Sequence, residues 1–91
     1  MGVVVTEATR EEGAIFGPHL RELRVARDLT QAELAERSRS NVIFISRLER
    51  GVTTPTLGML LRLSEALDCR LYELVEIFDR GPRVSPKSRK D

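Results

Sequence analysis

The chain has no tryptophan, one tyrosine, three phenylalanines, one cysteine and one histidine among its 91 residues. A lone cysteine, Cys69, excludes an internal disulfide and fits a reducing compartment. It reads as a small core residue, with a redox sensor or an intermolecular bridge as the alternative. A lone histidine, His19, reads as a surface or capping residue. With no nucleophile–base pair, metal-ligand cluster or phosphate-binding glycine loop beside it, catalysis has no residues to work with. No enzyme, cofactor or metal is expected.

Long apolar runs are also missing, so no segment has the length of a membrane span. Met1 to Thr6 lacks the basic start and long apolar centre of a secretory signal. The expected location is the cytoplasm. Neither sign of charge dominates: fifteen basic residues face fourteen acidic ones, for a net charge of +1. Net charge alone therefore points to no polyanionic partner. The layout does more, because Arg37, Arg39, Arg47 and Arg50 cluster mid-chain while Glu65, Asp68, Glu73, Glu76 and Asp79 gather later. Such a dipolar layout suits one basic face and a separate body. A mixed solvated surface is the plain alternative.

What the chain does contain is aliphatic and helical. Hydrophobic residues make up 41% of it, enough for one small domain with a Leu- and Ala-rich core. A first helix is expected from Pro18 to Arg27, with Pro18 in its first turn, where a missing N–H is harmless. Leu20 and Leu23 form its inner stripe, and Asp28 ends it in a left-handed or turn conformation. Thr30 with Glu33 makes a capping box for a second helix, and Leu29 with Leu34 a hydrophobic staple. Asn41 caps a third helix, Val42 to Arg50, which Gly51 stops. Thr56 caps a fourth that runs to about Leu67, and a fifth spans Leu71 to Phe78. Leu57, Leu60, Leu61, Leu63 and Leu67 exceed one narrow face, which leaves a surplus for a second contact surface.

The stretch TQAELAERSRSNVIFISRL, Thr30 to Leu48, carries the functional signal. Leu34, Ala35, Ile45 and Leu48 sit where a helix-turn-helix needs apolar or small side chains. Small Ala35 lets the two helices cross closely, so that the second can enter a DNA major groove.

The longer segments LRELRVARDLTQAELA, ISRLERG and PTLGMLLRLSEALD together resemble the phage repressor/Cro-type (XRE) helix-turn-helix family, over Leu20 to Leu74. FISRLERG, the short length and the extra C-terminal helix look more narrowly like the controller proteins of restriction-modification systems. The resemblance implies an all-α, lambda-repressor-like bundle of about five helices. Joined to the residue pattern, which reads 1–13 as a flexible N-terminal arm and 80–91 as a basic, flexible tail without a core pattern, it leaves 14–79 as the DNA-binding and dimerisation domain. It also implies an ion pair between Arg24 and Glu49 that pins the third helix to the first; the plain alternative is two exposed surface charges. The chain departs from the family where Arg39 replaces a frequent turn glycine and Ser40 a usual apolar residue. Val42, Ile43 and Phe44 likewise stand where polar groups usually open the reading helix.

The resemblance places Asn41, Val42, Ile43, Ser46 and Arg47 toward DNA. Arg47 has the chemistry to grip guanine O6 and N7 or to hold a phosphate; Val42 and Ile43 can only pack, for example on thymine methyl groups. Phe44 is expected to turn inward or to brace the neighbouring turn. Gln31 is expected at a phosphate, where it also braces the reading helix, and Arg39, Arg50, Thr53 and Thr54 at further phosphates. Leu71, Leu74, Val75 and Phe78, with the end of the fourth helix, are expected to form a homodimer surface; some of them close the monomer core, and Val75 and Phe78 look surplus to it. Double-stranded DNA and a second copy are the expected partners, and RNA polymerase is a candidate third. The main rival is an interaction module or antitoxin on the same scaffold, with Val42, Ile43 and Phe44 as its protein-binding patch.

Overall fold

A computed structural model describes residues 7–80. The described residues form six α-helices and no strand: α1 Glu7–Ala26, α2 Gln31–Arg37, α3 Val42–Arg50, α4 Leu57–Leu67, α5 Leu71–Val75 and α6 Ile77–Arg80. The fold is all-α, as expected. Val3–Val5 and the basic tail from Gly81 onward lie outside the described residues.

Local capping chemistry sets the middle of the molecule. Thr30 Oγ1 accepts the Glu33 N–H at 3.0 Å while the Glu33 carboxylate accepts the Thr30 N–H at 2.8 Å, closing the capping box at α2. Asn41 Oδ1 accepts from the Phe44 N–H at 2.9 Å and Thr56 Oγ1 from the Met59 N–H at 3.1 Å, which starts α3 and α4 where expected.

The helix ends share one device. Asp28, Arg39, Gly51 and Asp68 all have positive φ, between 54° and 79°. In each case the following N–H reaches back five residues: Leu29 to Arg24, Ser40 to Ala35, Val52 to Arg47 and Cys69 to Ser64. These are Schellman closures, which satisfy the last carbonyls of a helix and turn the chain sharply. Only Gly51 fills the left-handed position with the residue type that adopts it freely.

α1 differs most from expectation. It starts at Glu7 rather than Pro18, so residues 7–13 of the expected arm are helical, and Pro18 lies inside the helix. Gly17 helps to explain how the helix tolerates Pro18. The residue before a proline is normally pushed out of helical conformation partly by its own Cβ, which glycine lacks. Gly13 and Gly17 also face α3 at helical spacing. A Cβ on Gly17 would lie 2.5 Å from the Glu49 carbonyl oxygen and 2.6 Å from that of Leu48. A Cβ on Gly13 would run into the Gly51 carbonyl oxygen. These two glycines therefore let α1 pack backbone to backbone on the last turn of α3.

Gly17→Ala is accordingly expected to destabilise the fold. Overpacking against rigid backbone costs about 3 kcal/mol, and the gain of about 1 kcal/mol in helix propensity offsets only part of it. Thermal unfolding followed by circular dichroism should show Tm falling by about 8–16 °C for a domain of this size. An unchanged Tm would mean that α1 does not rest on α3 in this way.

The core is mainly aliphatic: Leu20, Leu34, Ile45, Leu48, Met59, Leu63, Leu67 and Leu74 are enclosed, and Phe16 is buried with them. α1 packs against α3, α5 and α6, and α4 against α2 and α5. His19 is buried rather than at the surface, and its Nε2 donates to the Glu73 carbonyl of α5 at 2.6 Å. Cys69 is half-buried against the core, and burial pushes its thiol above the usual range. That opposes the thiolate a redox sensor needs. The expected fifth helix is two pieces, α5 and α6, separated at Glu76. Glu76 keeps near-helical angles and its N–H still bonds the Tyr72 carbonyl at 2.8 Å, so the break is slight.

Candidate nucleic-acid interface

α2, the turn from Ser38 to Asn41, and α3 make a helix-turn-helix. Ala35 is buried, and as a small residue it lets the two helices lie close. Ser38 is fully buried in the turn, and its hydroxyl donates to the Leu34 carbonyl at 2.8 Å. Its oxygen also lies 3.0 Å from the Ser40 hydroxyl, which gives Ser40 a partner where an apolar residue would have none. From α4, the Arg62 Nε donates to the Ser38 carbonyl at 3.0 Å and holds the turn from outside. Arg27 acts similarly at the far end, donating from Nε to the carbonyl of Leu67, the last residue of α4.

Arg24 and Glu49 fix α3 to α1. Arg24 Nε donates to Glu49 Oε2 at 2.6 Å and Nη2 to Oε1 at 2.9 Å, a bidentate fork. Arg24 Nη1 donates to the Leu29 carbonyl at 2.8 Å, and Gln31 Nε2 donates to Glu49 Oε1 at 3.0 Å. Both charged side chains are nearly enclosed, at 11% and 3% exposure. The hydrogen bonds that Arg24 donates to the Glu49 carboxylate raise the Arg24 pKa above its ordinary value, against the opposing effect of burial. Gln31 thus braces the third helix and stands at the start of α2, the position expected to meet phosphate.

With its inner face locked, α3 has a defined outer face. Ile45, Leu48 and Glu49 are buried, and half-buried Phe44 packs against the core. Asn41, Val42, Ile43, Arg47 and Arg50 are exposed, Val42 at 44% and Ile43 at 68%. Ser46 is half-buried and its hydroxyl accepts from Arg50 Nε at 3.3 Å. Arg39 is exposed in the turn, and Thr53 and Thr54 are half-buried in the loop after α3. The only carboxylate of α3 is Glu49, already neutralised by Arg24. Its accessible charges are therefore all positive, beside two bare aliphatic side chains.

Arg39 holds its left-handed backbone at φ 57° with a Cβ in place. Arg39→Gly should therefore stabilise the fold. Relief of about 1–2 kcal/mol of backbone cost exceeds the roughly 0.5–1 kcal/mol lost to a freer unfolded chain. The expected rise in Tm is a few degrees; a fall would show that the Arg39 side chain contributes to folding.

On the last helices, Leu74 is fully buried and belongs to the monomer core, so it has no surface to offer a second copy. Leu71 and Phe78 are half-buried, Val75 is 37% exposed and Tyr72 is 61% exposed. An open groove of about 310 Å³ adjoins them, lined by Glu12, Phe16, Thr54, Pro55, Leu60, Val75 and Phe78. Among the described residues no group of side chains has the makings of a metal site, and no helix is long and apolar enough to cross a membrane.

Several side chains that position the site carried no sequence signal strong enough to single them out. Arg62 lies among the leucines of α4 and looks like a solvated charge until the turn is placed beside it. Gly13 and Gly17 fall before the expected start of the first helix at Pro18, although their four-residue spacing was the available clue.

Comparison with known proteins agrees with this geometry. A helix-turn-helix family model matches residues 20–74. An uncharacterised HTH-type transcriptional regulator of Sinorhizobium fredii, y4dJ, is 37% identical over 68 residues, 75% of this chain and 88% of its own length. The restriction-modification controller protein C.AhdI from Aeromonas hydrophila superposes with a TM-score of 0.70 at 37% identity, over 71% of this chain and 94% of its own. The clp gene regulator ClgR from C. glutamicum follows at 0.67 and 29%, over 71% of this chain and 84% of its own. The matched segment contains the capped helix pair, the buried Arg24–Glu49 fork and the exposed face of α3, and on that combined ground the chain belongs to the helix-turn-helix family of the phage repressor/Cro (XRE) type.

Proposed function

We propose that this chain is a sequence-specific transcriptional regulator that binds double-stranded DNA as a homodimer on a two-fold symmetric operator. Its role is that of a controller of the kind named for the Aeromonas relative. The observation that carries this is the outer face of α3, exposed and wholly cationic in its accessible charge, on a helix whose inner side is locked by Arg24, Glu49 and Gln31. Arg47 takes a base edge or phosphate, Asn41 and Ser46 supply short polar contacts, and Gln31, Arg39, Arg50, Thr53 and Thr54 meet the phosphates that set register.

One such domain offers few base contacts, so a second copy is needed for specific affinity. Tyr72, Val75, Leu71 and Phe78 form an apolar face on α5 and α6 that an isologous dimer would cover. RNA polymerase is a further partner that a regulator seated beside a promoter would meet. Selection of duplexes from a random DNA pool tests the reading. The expected product is a two-fold symmetric sequence with half-sites about 34 Å apart. Binding should weaken with salt at a log–log slope of about −0.9 per phosphate contacted. A folded protein that enriches nothing would overturn it.

A further inference from the structure

The DNA-binding reading leaves unexplained why the exposed start of α3 is aliphatic. Val42 and Ile43 have no side-chain donor or acceptor, yet they occupy the first turn of the helix, the part that reaches base edges in this motif. Resting on that reading, we infer that this helix reads the C5 methyl group of a pyrimidine through Ile43, beside a guanine held by Arg47.

The major groove offers only a few apolar features, and the C5 methyl of thymine is the principal one. Cytosine instead presents its N4 amino group nearby. An aliphatic side chain pressed there would strip water from a donor and give nothing back. Ile43 therefore favours thymine over cytosine by attraction to one and penalty against the other.

The surroundings fit a nucleic acid better than an apolar protein surface. Arg39 in the turn before α3, and Arg47 and Arg50 on it, are exposed, and α3 shows no accessible carboxylate. Ile43 and Arg47 are four residues apart, so they share a face and lie about 6 Å apart along the axis. With base pairs about 3.4 Å apart, the methyl belongs one or two base pairs from the guanine. Val42, less exposed and on the neighbouring face, adds packing on the same side.

5-Methylcytosine carries the same methyl group at the same ring position. At the pyrimidine that Ile43 contacts, methylation of a cytosine should therefore strengthen binding. Neither effect needs any change in the fold, because Ile43 is 68% exposed and Ile43→Ala leaves the core untouched.

The test uses the operator selected by the full chain, with thymines replaced one at a time by deoxyuridine, which removes only the methyl. Wild type is expected to lose about fourfold in affinity per contacted methyl, and about 15-fold when both half-sites are changed. Cytosine there should bind more weakly than thymine, and 5-methylcytosine should recover about fourfold over cytosine. Ile43→Ala should bind thymine and deoxyuridine operators equally. If every thymine tolerates the exchange in wild type, the inference is overturned while the DNA-binding reading stands. If the folded protein selects no operator, both fall, and the aliphatic patch passes to a protein partner.

Discussion

Arg24→Ala is expected to lower stability by about 3–5 kcal/mol, the usual consequence of leaving one member of a buried ion pair without the other. The remaining Glu49 carboxylate would keep Gln31 as its hydrogen-bond partner, but its cation would be gone from a site where its side chain is 3% exposed. The Leu29 carbonyl would lose its donor as well. For a domain of this size the fall in Tm would be at least about 12 °C. Thermal unfolding followed by circular dichroism would measure it. The same substitution removes the main polar tie between α1 and α3, so DNA binding should weaken even below the new Tm. Arg24→Lys should recover only part of the loss, because an ammonium cannot reproduce the fork to both carboxylate oxygens. Wild-type stability in Arg24→Ala would show that the packing of Gly13 and Gly17 suffices to hold the reading helix.

How far the sequence determined these features varies with the range of the interaction. Thr30, Asn41, Thr56 and Gly51 cap their helices through groups no more than a few residues away, so the starts of α2, α3 and α4 follow from local chemistry. Asp28 in its left-handed conformation is of the same kind. The start of α1 is not. Gly13 and Gly17 weaken a helix when judged locally, and only their fit against the carbonyls at the end of α3 and its Gly51 cap makes glycine the residue that belongs there.

Burial in α5 was partly legible: Val75 reads as surplus to the core and is exposed, while packing on α1 and α4 encloses Leu74. His19 needed the Glu73 carbonyl, fifty-four residues away, to account for its burial. The outward face of α3 follows from helical periodicity once Ile45 and Leu48 are assigned to the core. What that face touches depends on a partner whose shape the chain does not encode, which is why Val42 and Ile43 remained ambiguous between bases and protein.

Arg47→Ala is the second large effect. Arg47 is exposed, so its removal leaves the fold and Tm unchanged. A bidentate arginine–guanine contact is worth about 1–3 kcal/mol, and the proposed symmetric dimer would make it twice. The expected loss of operator affinity is therefore between about 30-fold and about 20,000-fold, at 1.4 kcal/mol per tenfold. Base contact and phosphate contact separate cleanly here. Loss of a base contact relaxes the sequence preference at one position in each half-site. Loss of a phosphate contact weakens all sequences alike and makes the salt slope about 0.9 shallower per half-site.

The most direct measurement is the dissociation constant of Arg47→Ala on the operator selected by wild type, at physiological salt, with thermal unfolding run in parallel. An unchanged Tm with at least about 30-fold weaker binding is the result expected if α3 reads the major groove. A folded variant that binds the operator as tightly as wild type would contradict that account.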